Sequence, residues 1–309
     1  MTQVRILDDR ERELVFSRPP GRIVSLVPSD TLTLFHLGAG SRVVGRTRYC
    51  VAPEGQVEGI ATVGGTKDVD ADAVAALQPD LVLVNQEENT PQVVKALAER
   101  RIPTFISFPR TVIAGLAHAS RLAVILGLAQ DPKVKAVISR GYAALRAAEE
   151  LLKADAAAGR APLKVFVPIW LEPLMTISGE TYVSDILRLS GARNVFSERQ
   201  RRYPLAADQG RAESVPDADL KGRDTRYPRI TLAEVEAAAP EAILLPDEPH
   251  RFTEADALLF RGQRTPAAVS GRVRLCGGRD LTWHGTQSLE ALARVRALIE
   301  ALRVPVGAS

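Results

Sequence analysis

The sequence has few cysteines and almost no net charge, and both facts restrict its function. Only Cys50 and Cys276 occur in 309 residues, with no CxxC pair, which is too few for a disulfide-built scaffold. Whether these two thiols pair is left open. Forty basic and 37 acidic residues leave a net charge of +3, with no basic stretch interleaved with aromatic residues. Nucleic acid is therefore not an expected partner.

Histidine is scarce, and its spacing predicts no dedicated metal site. The four histidines are His36, His118, His250 and His284, and they form no HxH or HExxH motif. Only His284, next to Trp283, remains a candidate for contact with a ligand. His36 is expected to pack against its surroundings.

Catalytic motifs are also missing. The sequence has no GxSxG elbow, and its one glycine-rich stretch, Gly38–Gly45, lacks the GK[ST] ending of a phosphate loop. Glu87 and Glu88 are adjacent, so their side chains point apart and do not form a shared-proton pair. Catalytic signals in the sequence are therefore weak.

Long apolar runs are absent, so no membrane insertion is expected. The first residues carry Asp8, Asp9, Glu11 and Glu13, which do not fit a signal peptide. As the sequence stands, the expected compartment is the cytoplasm.

What the sequence does contain is an alternation of apolar strand-like runs and amphipathic helices. In the first half, we predict that Ser29 caps a helix ending at Gly38. The predicted strands there are Arg22–Pro28, Arg42–Tyr49, Asp80–Asn85 and Ile102–Phe108. Continuous Val, Ile and Leu runs between helices indicate a parallel sheet covered on both faces.

The second half repeats this scheme. "VAALQPDLVLVNQEE" from Val74 is echoed by "VEAAAPEAILLPDEP" from Val235, and "HLGAGSRVV" is echoed by "RLSGARNVF". A single helix–strand unit is common in α/β proteins, but two echoes favour a duplicated lobe. We predict an α/β protein with an N-terminal lobe (1–128), a bridging helix (129–160) and a C-terminal lobe (161–309). The helix is expected to run from Asp131 to Gly159, over about 40 Å.

Ligands of parallel α/β sheets bind beyond the carboxyl ends of the strands. Arg110 follows one predicted strand end and could meet a carboxylate or phosphate; a surface ion pair is the alternative. Large aromatic side chains near such ends favour a flat or apolar ligand, with core packing as the alternative. These aromatic candidates are Tyr49, Trp170, Tyr227 and Trp283.

The arginine-rich "SERQRRYP" (Ser197–Pro204) is the densest basic stretch of the chain. A solvated loop is favoured there over a phosphate-binding site.

Several stretches together resemble a known family. They are "RIVSLVPSDTLTLFHLGAGSRVVGRTRYC", "VGGTKDVDADAVAALQPDLVLVNQEEN", "FPRTV", "PIWLEPLMTISGETYVSDILRLSGARNVF" and "RYPRITLAEVEAAAPEAILLPDEP". In this order they resemble the cobalamin and iron-siderophore substrate-binding proteins of ABC importers. The resemblance implies two Rossmann-like lobes with parallel sheets bridged by one long α-helix, the class III periplasmic-binding-protein fold. It also implies a monomeric receptor, outside the cytoplasm, that passes a metal chelate to a permease.

The resemblance also implies roles for particular residues. Tyr49, Trp170, Tyr227 and Trp283 are similar in position to aromatic ligand contacts of the cobalamin-binding members. Two further aromatic positions of those members are Thr66 and Asn85 here, which leaves a ferric siderophore or haem open beside cobalamin.

For permease docking the resemblance implies one carboxylate on each lobe. Asp72 matches the first, and Glu234 lies beside Ala233 at the second. The segment 197–226 is longer than the family pattern predicts, and it could cover the cleft. A cytoplasmic enzyme of chelatase type and a sensor on the same fold remain the alternatives.

Overall fold

The computed structural model describes residues 3–304. The ends of the two predicted lobes, residues 1–2 and 305–309, lie outside the described residues. The chain forms two compact units. The first runs up to Ala143 and also takes in Trp283–Leu289, and the second comprises Ala144–Thr282 and the chain from Glu290 onward.

The first unit is built on a five-stranded parallel sheet with strand order β5-β4-β3-β6-β7, and on a separate antiparallel hairpin of β1 and β2. Its strands are β1 (Val4–Leu7), β2 (Glu13–Phe16), β3 (Ile23–Ser25), β4 (Val43–Arg46), β5 (Ala61–Thr62), β6 (Leu81–Asn85) and β7 (Thr104–Ser107). Its helices are α1 (Pro28–His36), α2 (Ala71–Ala76), α3 (Pro91–Glu99) and α4 (Val112–Ile125).

The central strands of this sheet are buried on both faces, as their continuous apolar runs predict. In β6, Leu81 and Leu83 join one core cluster, while Val82 and Val84 join the cluster on the opposite face. Successive side chains of a strand point to opposite faces, so each face needs its own covering helices.

The predicted cap at Ser29 is wrong. Helix α1 begins two residues earlier than this cap predicts, at Pro28, with Val27 in the capping position and no side-chain cap. Proline suits the first turn because its fixed φ is already helical and its missing N–H would have no helical partner. The Ser29 hydroxyl instead lies 3.1 Å from Nε2 of His284.

The second unit is built on a four-stranded parallel sheet with strand order β11-β8-β12-β13, and on an antiparallel pair of β9 and β10. Its strands are β8 (Leu163–Phe166), β9 (Pro168–Trp170), β10 (Met175–Thr176), β11 (Ala192–Asn194), β12 (Ala242–Pro246) and β13 (Val273–Cys276). The helices after α5 (Pro132–Ala157) are α6 (Tyr182–Leu189), α7 (Leu205–Asp208), α8 (Leu232–Ala238), α9 (Glu254–Arg261), α10 (Pro266–Val269), α11 (Arg279–Thr282) and α12 (Ser288–Arg303).

The predicted strand Leu163–Trp170 is divided into β8 and β9. Pro168 has no backbone N–H to give to the sheet, so the run cannot continue as a central strand. The carbonyl of Val167, at the break, accepts a hydrogen bond of 2.8 Å from the Thr176 hydroxyl.

The long helix α5 is continuous, which confirms the predicted helix. The Asp131 carboxylate accepts a hydrogen bond from the backbone N–H of Lys133 at 2.7 Å, which caps the first turn. Gly159 lies beyond the last turn with a φ of +67°, a conformation that favours glycine. A Cβ at Gly141 would lie 2.5 Å from a methyl of Leu116, so glycine there permits close packing on α4.

Within residues 3–304, no helix combines the length and the apolar character required to span a bilayer.

Candidate functional site

Two of the residues predicted to bind a ligand, Tyr49 and Arg110, follow strands at the carboxyl edge of the first unit's sheet. Strands β4, β6 and β7 end at Arg46, Asn85 and Ser107, and the segments that follow them form this edge. Loops at this edge of a parallel sheet bind ligands because all strands point their carboxyl ends the same way.

Tyr49 follows β4 and presents an open ring. Its side chain is 53% exposed, and the guanidinium carbon of Arg48 lies 5.1 Å from the ring centroid. Asp68 holds that guanidinium with a contact of 2.8 Å. The aromatic ring is therefore oriented by its neighbours, and its open surface is available for stacking.

Arg110 lies in the short loop between β7 and α4. Its guanidinium carbon is 5.7 Å from the centroid of the Phe108 ring. The backbone N–H of Phe108 donates to the Asp9 carboxylate at 2.6 Å, and Thr111 caps α4 through its hydroxyl. Both ends of the loop are thus fixed, and they place an exposed arginine at the edge of the sheet.

Asn85 orders the acidic loop rather than contacting solvent. It is 2% exposed, and its side-chain oxygen accepts the backbone N–H of Glu87 at 2.8 Å. Its own N–H donates to the Asn89 side chain at 2.8 Å, and Asn89 in turn donates to the Thr66 carbonyl. A buried asparagine with these partners defines the turn after β6.

Trp283 is packed in the interior of the first unit. It is 6% exposed and forms a small apolar cluster with Leu32 and Ala52. Its indole therefore offers little surface to a ligand, and the predicted contact role stays a prediction.

His284 belongs to a buried cluster with Asp30 and His118. The side chains of Asp30 and His118 are at most 1% exposed, and Nε2 of His118 lies 2.8 Å from Oδ1 of Asp30. Nδ1 of His284 lies 3.8 Å from the same oxygen, and its Nε2 is 3.1 Å from the Ser29 hydroxyl. The two histidine rings meet edge to face at 5.5 Å.

The charges of this cluster follow from its burial and its contacts. Burial acts to raise the pKa of Asp30, but the charge and hydrogen bond of His118, helped by His284 and Arg121, bring that pKa below its usual value. Burial lowers the pKa of His284 to about 4, against a smaller raising effect from Asp30. At neutral pH, Asp30 is a carboxylate and His284 is a neutral imidazole.

The same cluster is a possible set of metal ligands. Asp30, His118 and His284 each offer one ligand atom, and these atoms lie within 4.8 Å of one another. Two imidazoles and a carboxylate suit a divalent transition metal. The three residues come from distant parts of the chain, so motif spacing could not reveal them. The expectation of no metal site stays a prediction, which a metal titration of this cluster would test.

In the second unit, Trp170 ends β9 and is 45% exposed. Its indole N–H donates to the Glu172 carbonyl at 3.0 Å, and its ring lies 5.2 Å from the ring of His250. His250 also contacts Phe252, with ring centroids 4.6 Å apart. His250 lies 80 positions from Trp170 along the chain, so sequence spacing gives no sign of this contact.

Tyr227 is half-buried, with the guanidinium carbon of Arg226 at 5.3 Å from its ring. It is positioned by strand-like backbone contacts on either side: Ser178 N–H donates to the Arg226 carbonyl at 2.7 Å, and Thr176 N–H donates to the Pro228 carbonyl at 3.0 Å.

The two predicted docking carboxylates each have an arginine partner within their own unit. Asp72 is exposed in the first turn of α2 and contacts Arg100 at 2.7 Å. Glu234 forms a capping box with Thr231 and contacts Arg199 at 3.2 Å. Docking on external arginines would compete with these contacts, and it stays a prediction.

Comparison with known families decides the class of the protein. The model of the family described as periplasmic binding protein matches residues 23–245. The chain belongs to this family. Its curated relatives include the vitamin B12-binding protein of Pectobacterium atrosepticum, 27% identical over 204 residues, which are 66% of this chain and 72% of that protein. The protein of the same name from Yersinia pestis is 28% identical over 184 residues, which are 59% of this chain and 62% of that protein.

Solved structures show the same fold. The periplasmic vitamin B12 binding protein of Vibrio cholerae superposes with a TM-score of 0.69 at 17% identity, covering 92% of this chain and 98% of that one. A periplasmic heme-binding protein from Pseudomonas aeruginosa superposes with a TM-score of 0.72 at 21% identity, covering 93% and 95%. The predicted fold class, with two Rossmann-like lobes and one long helix, is confirmed.

Proposed function

We propose that the protein is a receptor that binds a metal-chelate nutrient: cobalamin, haem or a ferric siderophore. The family match across residues 23–245 carries this proposal. Relatives that bind vitamin B12 and structural neighbours that bind vitamin B12 or haem support it. All of these ligands are large metal chelates.

The exposed aromatic and arginine side chains at or after strand ends suit such a ligand. Tyr49 in the first unit and Trp170 in the second are large aromatic residues with about half of their surface open. Stacking on these rings supplies apolar contact, and Arg110 supplies a charged hydrogen-bond donor for a carboxylate or phosphate of the ligand. From these contacts we expect a dissociation constant in the micromolar to nanomolar range, which is a binding free energy of about −8 to −12 kcal/mol.

We further propose that the loaded receptor delivers its ligand to an ABC permease as a monomer. Asp72 and Glu234 are the carboxylates we assign to docking. In the free protein, Arg100 contacts Asp72 and Arg199 contacts Glu234. In a docked complex, arginines of the permease would replace these two contacts. A pull-down with the permease, using the double variant Asp72→Ala and Glu234→Ala, tests this part separately; equal capture of both forms would contradict the assignment.

The enzymatic alternative would require a titrating base open to a ligand. His284 was one of two candidates, and it is 4% exposed. Glu87, the other candidate, lies in the loop after β6, where its own backbone N–H donates to the Asn85 side chain. We therefore propose that binding proceeds without catalysis.

A fluorescence titration tests the proposed ligand class, because the chain has only two tryptophans. Trp170 is exposed and Trp283 is buried, so cobalamin, haem or a ferric siderophore should quench mainly Trp170. The signal should remain in Trp283→Phe and be largely lost in Trp170→Phe. Free N-acetyltryptophanamide corrects for light absorbed by the ligands. Absence of saturable quenching with all three ligands would contradict the proposal.

A further inference from the structure

The long segment 197–226 of the second unit is folded around one buried carboxylate. Asp208, at the end of α7, is 1% exposed. One of its oxygens accepts hydrogen bonds from Nη1 of Arg199 at 3.0 Å and from the backbone N–H of Arg202 at 2.9 Å. Its other oxygen accepts the backbone N–H of Arg229 at 2.7 Å. The predicted solvated loop is wrong for Arg199, whose side chain is only 13% exposed.

This segment encloses a cavity of about 240 Å³ within the second unit. Its walls are mainly polar and include the three arginines of the basic stretch, Arg199, Arg201 and Arg202. The lining residues are Glu198, Arg199, Gln200, Arg201, Arg202, Ser214, Val215 and Leu220. Arg199 already contacts Asp208 and Glu234, so its charge is compensated. The other two arginines have no such carboxylate among the described residues.

Arg201 is held in place by its backbone and by an aromatic ring rather than by a carboxylate of the described residues. Its backbone N–H donates to the Thr225 carbonyl at 2.7 Å, and its guanidinium carbon lies 4.6 Å from the Tyr203 ring centroid. Arg223 stands 5.2 Å from the same ring. Within the described part of the chain, Nε of Arg201 is buried and makes no hydrogen bond. A buried donor without an acceptor is costly, which favours an acceptor bound from outside.

A second arginine adds to the excess of positive charge. Nε and Nη1 of Arg229 are buried and make no hydrogen bond to any described residue, and the nearest carboxylate oxygen, of Asp208, is 4.0 Å away. Burial, and then the charge of Arg201, hold the pKa of Arg229 below its usual value. Like charges placed this close in a partly buried region repel each other unless an anion lies between or beside them.

We propose that this cavity binds a small oxyanion, a phosphate or carboxylate group of a small molecule, through the guanidinium groups of Arg201 and Arg202. Planar guanidinium groups match both kinds of oxyanion with paired hydrogen bonds. Glu198 faces the same cavity and disfavours a second anionic group on its side. The ligand is therefore expected to carry its acidic group at one end only. This site lies in the second unit alone and does not depend on the proposed chelate.

Calorimetric titration of the full chain with phosphate and with acetate, at low ionic strength, tests the site and tells the two oxyanions apart. Saturable binding of either one, weakened by added salt, is expected. Arg201→Gln should weaken it by about tenfold or more, because a charge-assisted contact is lost. Arg201→Lys keeps the charge but not the planar fork, so its affinity should lie between those of the wild type and Arg201→Gln.

The matched control is Arg193→Gln, which removes an equal charge from an exposed position on β11 of the same unit. This variant should bind like the wild type. Circular dichroism shows whether each variant is folded; if Arg201→Gln does not fold, Arg202→Gln replaces it, because that side chain is exposed. Absence of saturable binding of both anions, or equal weakening in Arg193→Gln, would overturn the site.

Discussion

Nε2 of His118 and Oδ1 of Asp30 are 2.8 Å apart inside the first unit, and neither side chain is more than 1% exposed. Asp30 lies in the first turn of α1, directly after the carboxyl end of β3, and His118 lies in the middle of α4. The contact therefore joins two helices that follow strands of the first unit's sheet, α1 after β3 and α4 after β7. The charge of Asp30 therefore affects the stability of this part of the first unit.

The first prediction concerns the loss of this buried charge. Asp30→Asn should lower the free energy of unfolding by about 3–5 kcal/mol, because it leaves a buried histidine without its charged partner. Urea denaturation measures the change. Asp72→Asn, which breaks the exposed contact with Arg100, is the control and should cost much less. Similar losses in the two variants would contradict the assigned importance of burial.

The second prediction is a loss of stability on mild acidification. Burial lowers the pKa of His284 to about 4 in the folded protein, from its ordinary value of 6.5. Between these values the unfolded chain binds a proton at His284 that the folded chain does not. Stability is therefore full above about pH 6.5 and falls as the pH drops toward 4, by up to roughly 3 kcal/mol.

Denaturation midpoints measured between neutral and acidic pH check this slope. His284→Gln should flatten it, since the titrating group is gone, although the variant is less stable at neutral pH. His250→Gln leaves the buried cluster intact and should retain the slope of the wild type. A slope that is the same in His284→Gln as in the wild type would rule out this histidine as its source.

The third prediction separates ring stacking from hydroxyl chemistry at Tyr49. Its ring is 53% exposed and is oriented by Arg48. Tyr49→Ala should weaken chelate binding by about tenfold, in line with the loss of one stacking contact. Tyr49→Phe keeps the ring and should bind like the wild type. The affinities come from the tryptophan titration, and a larger loss in Tyr49→Phe would point to the hydroxyl instead.

The fourth prediction is that both thiols are unreactive in the folded protein. Cys50 and Cys276 are free. Burial raises the pKa of Cys50, and it raises the pKa of Cys276 to about 12. Little thiolate forms at neutral pH, and thiolate is the reactive species. Mass spectrometry should show slow alkylation by iodoacetamide in the native protein and fast alkylation in urea; equal rates would contradict the prediction.

Local sequence patterns predicted most of the secondary structure, and particular elements show why. The run Asp80–Asn85 predicted β6, and the helix-forming stretch after Asp131 predicted α5, because apolar periodicity and capping residues act over short distances. The errors occurred where one residue could serve two local roles. Ser29 could cap a helix or lie within it, and Pro168 could end a strand or interrupt one.

The candidate site was only partly predictable. Tyr49 and Arg110 could be placed near strand ends because a parallel sheet brings its carboxyl ends to one edge. Trp170 also ends a strand, but that strand, β9, belongs to an antiparallel pair. Burial could not be predicted in the same way. Trp283 is a large aromatic residue in a loop, yet it packs against Leu32 and Ala52 in the interior.

The sequence alone determined the alternating helices and strands and the long continuous helix, because neighbouring residues encode each of them. The tertiary structure alone decided that Asp30, His118 and His284 meet. It also decided that Arg201 has a buried donor without an acceptor among the described residues. Such contacts join residues far apart in the chain, and only the packing of complete helices and loops brings them together.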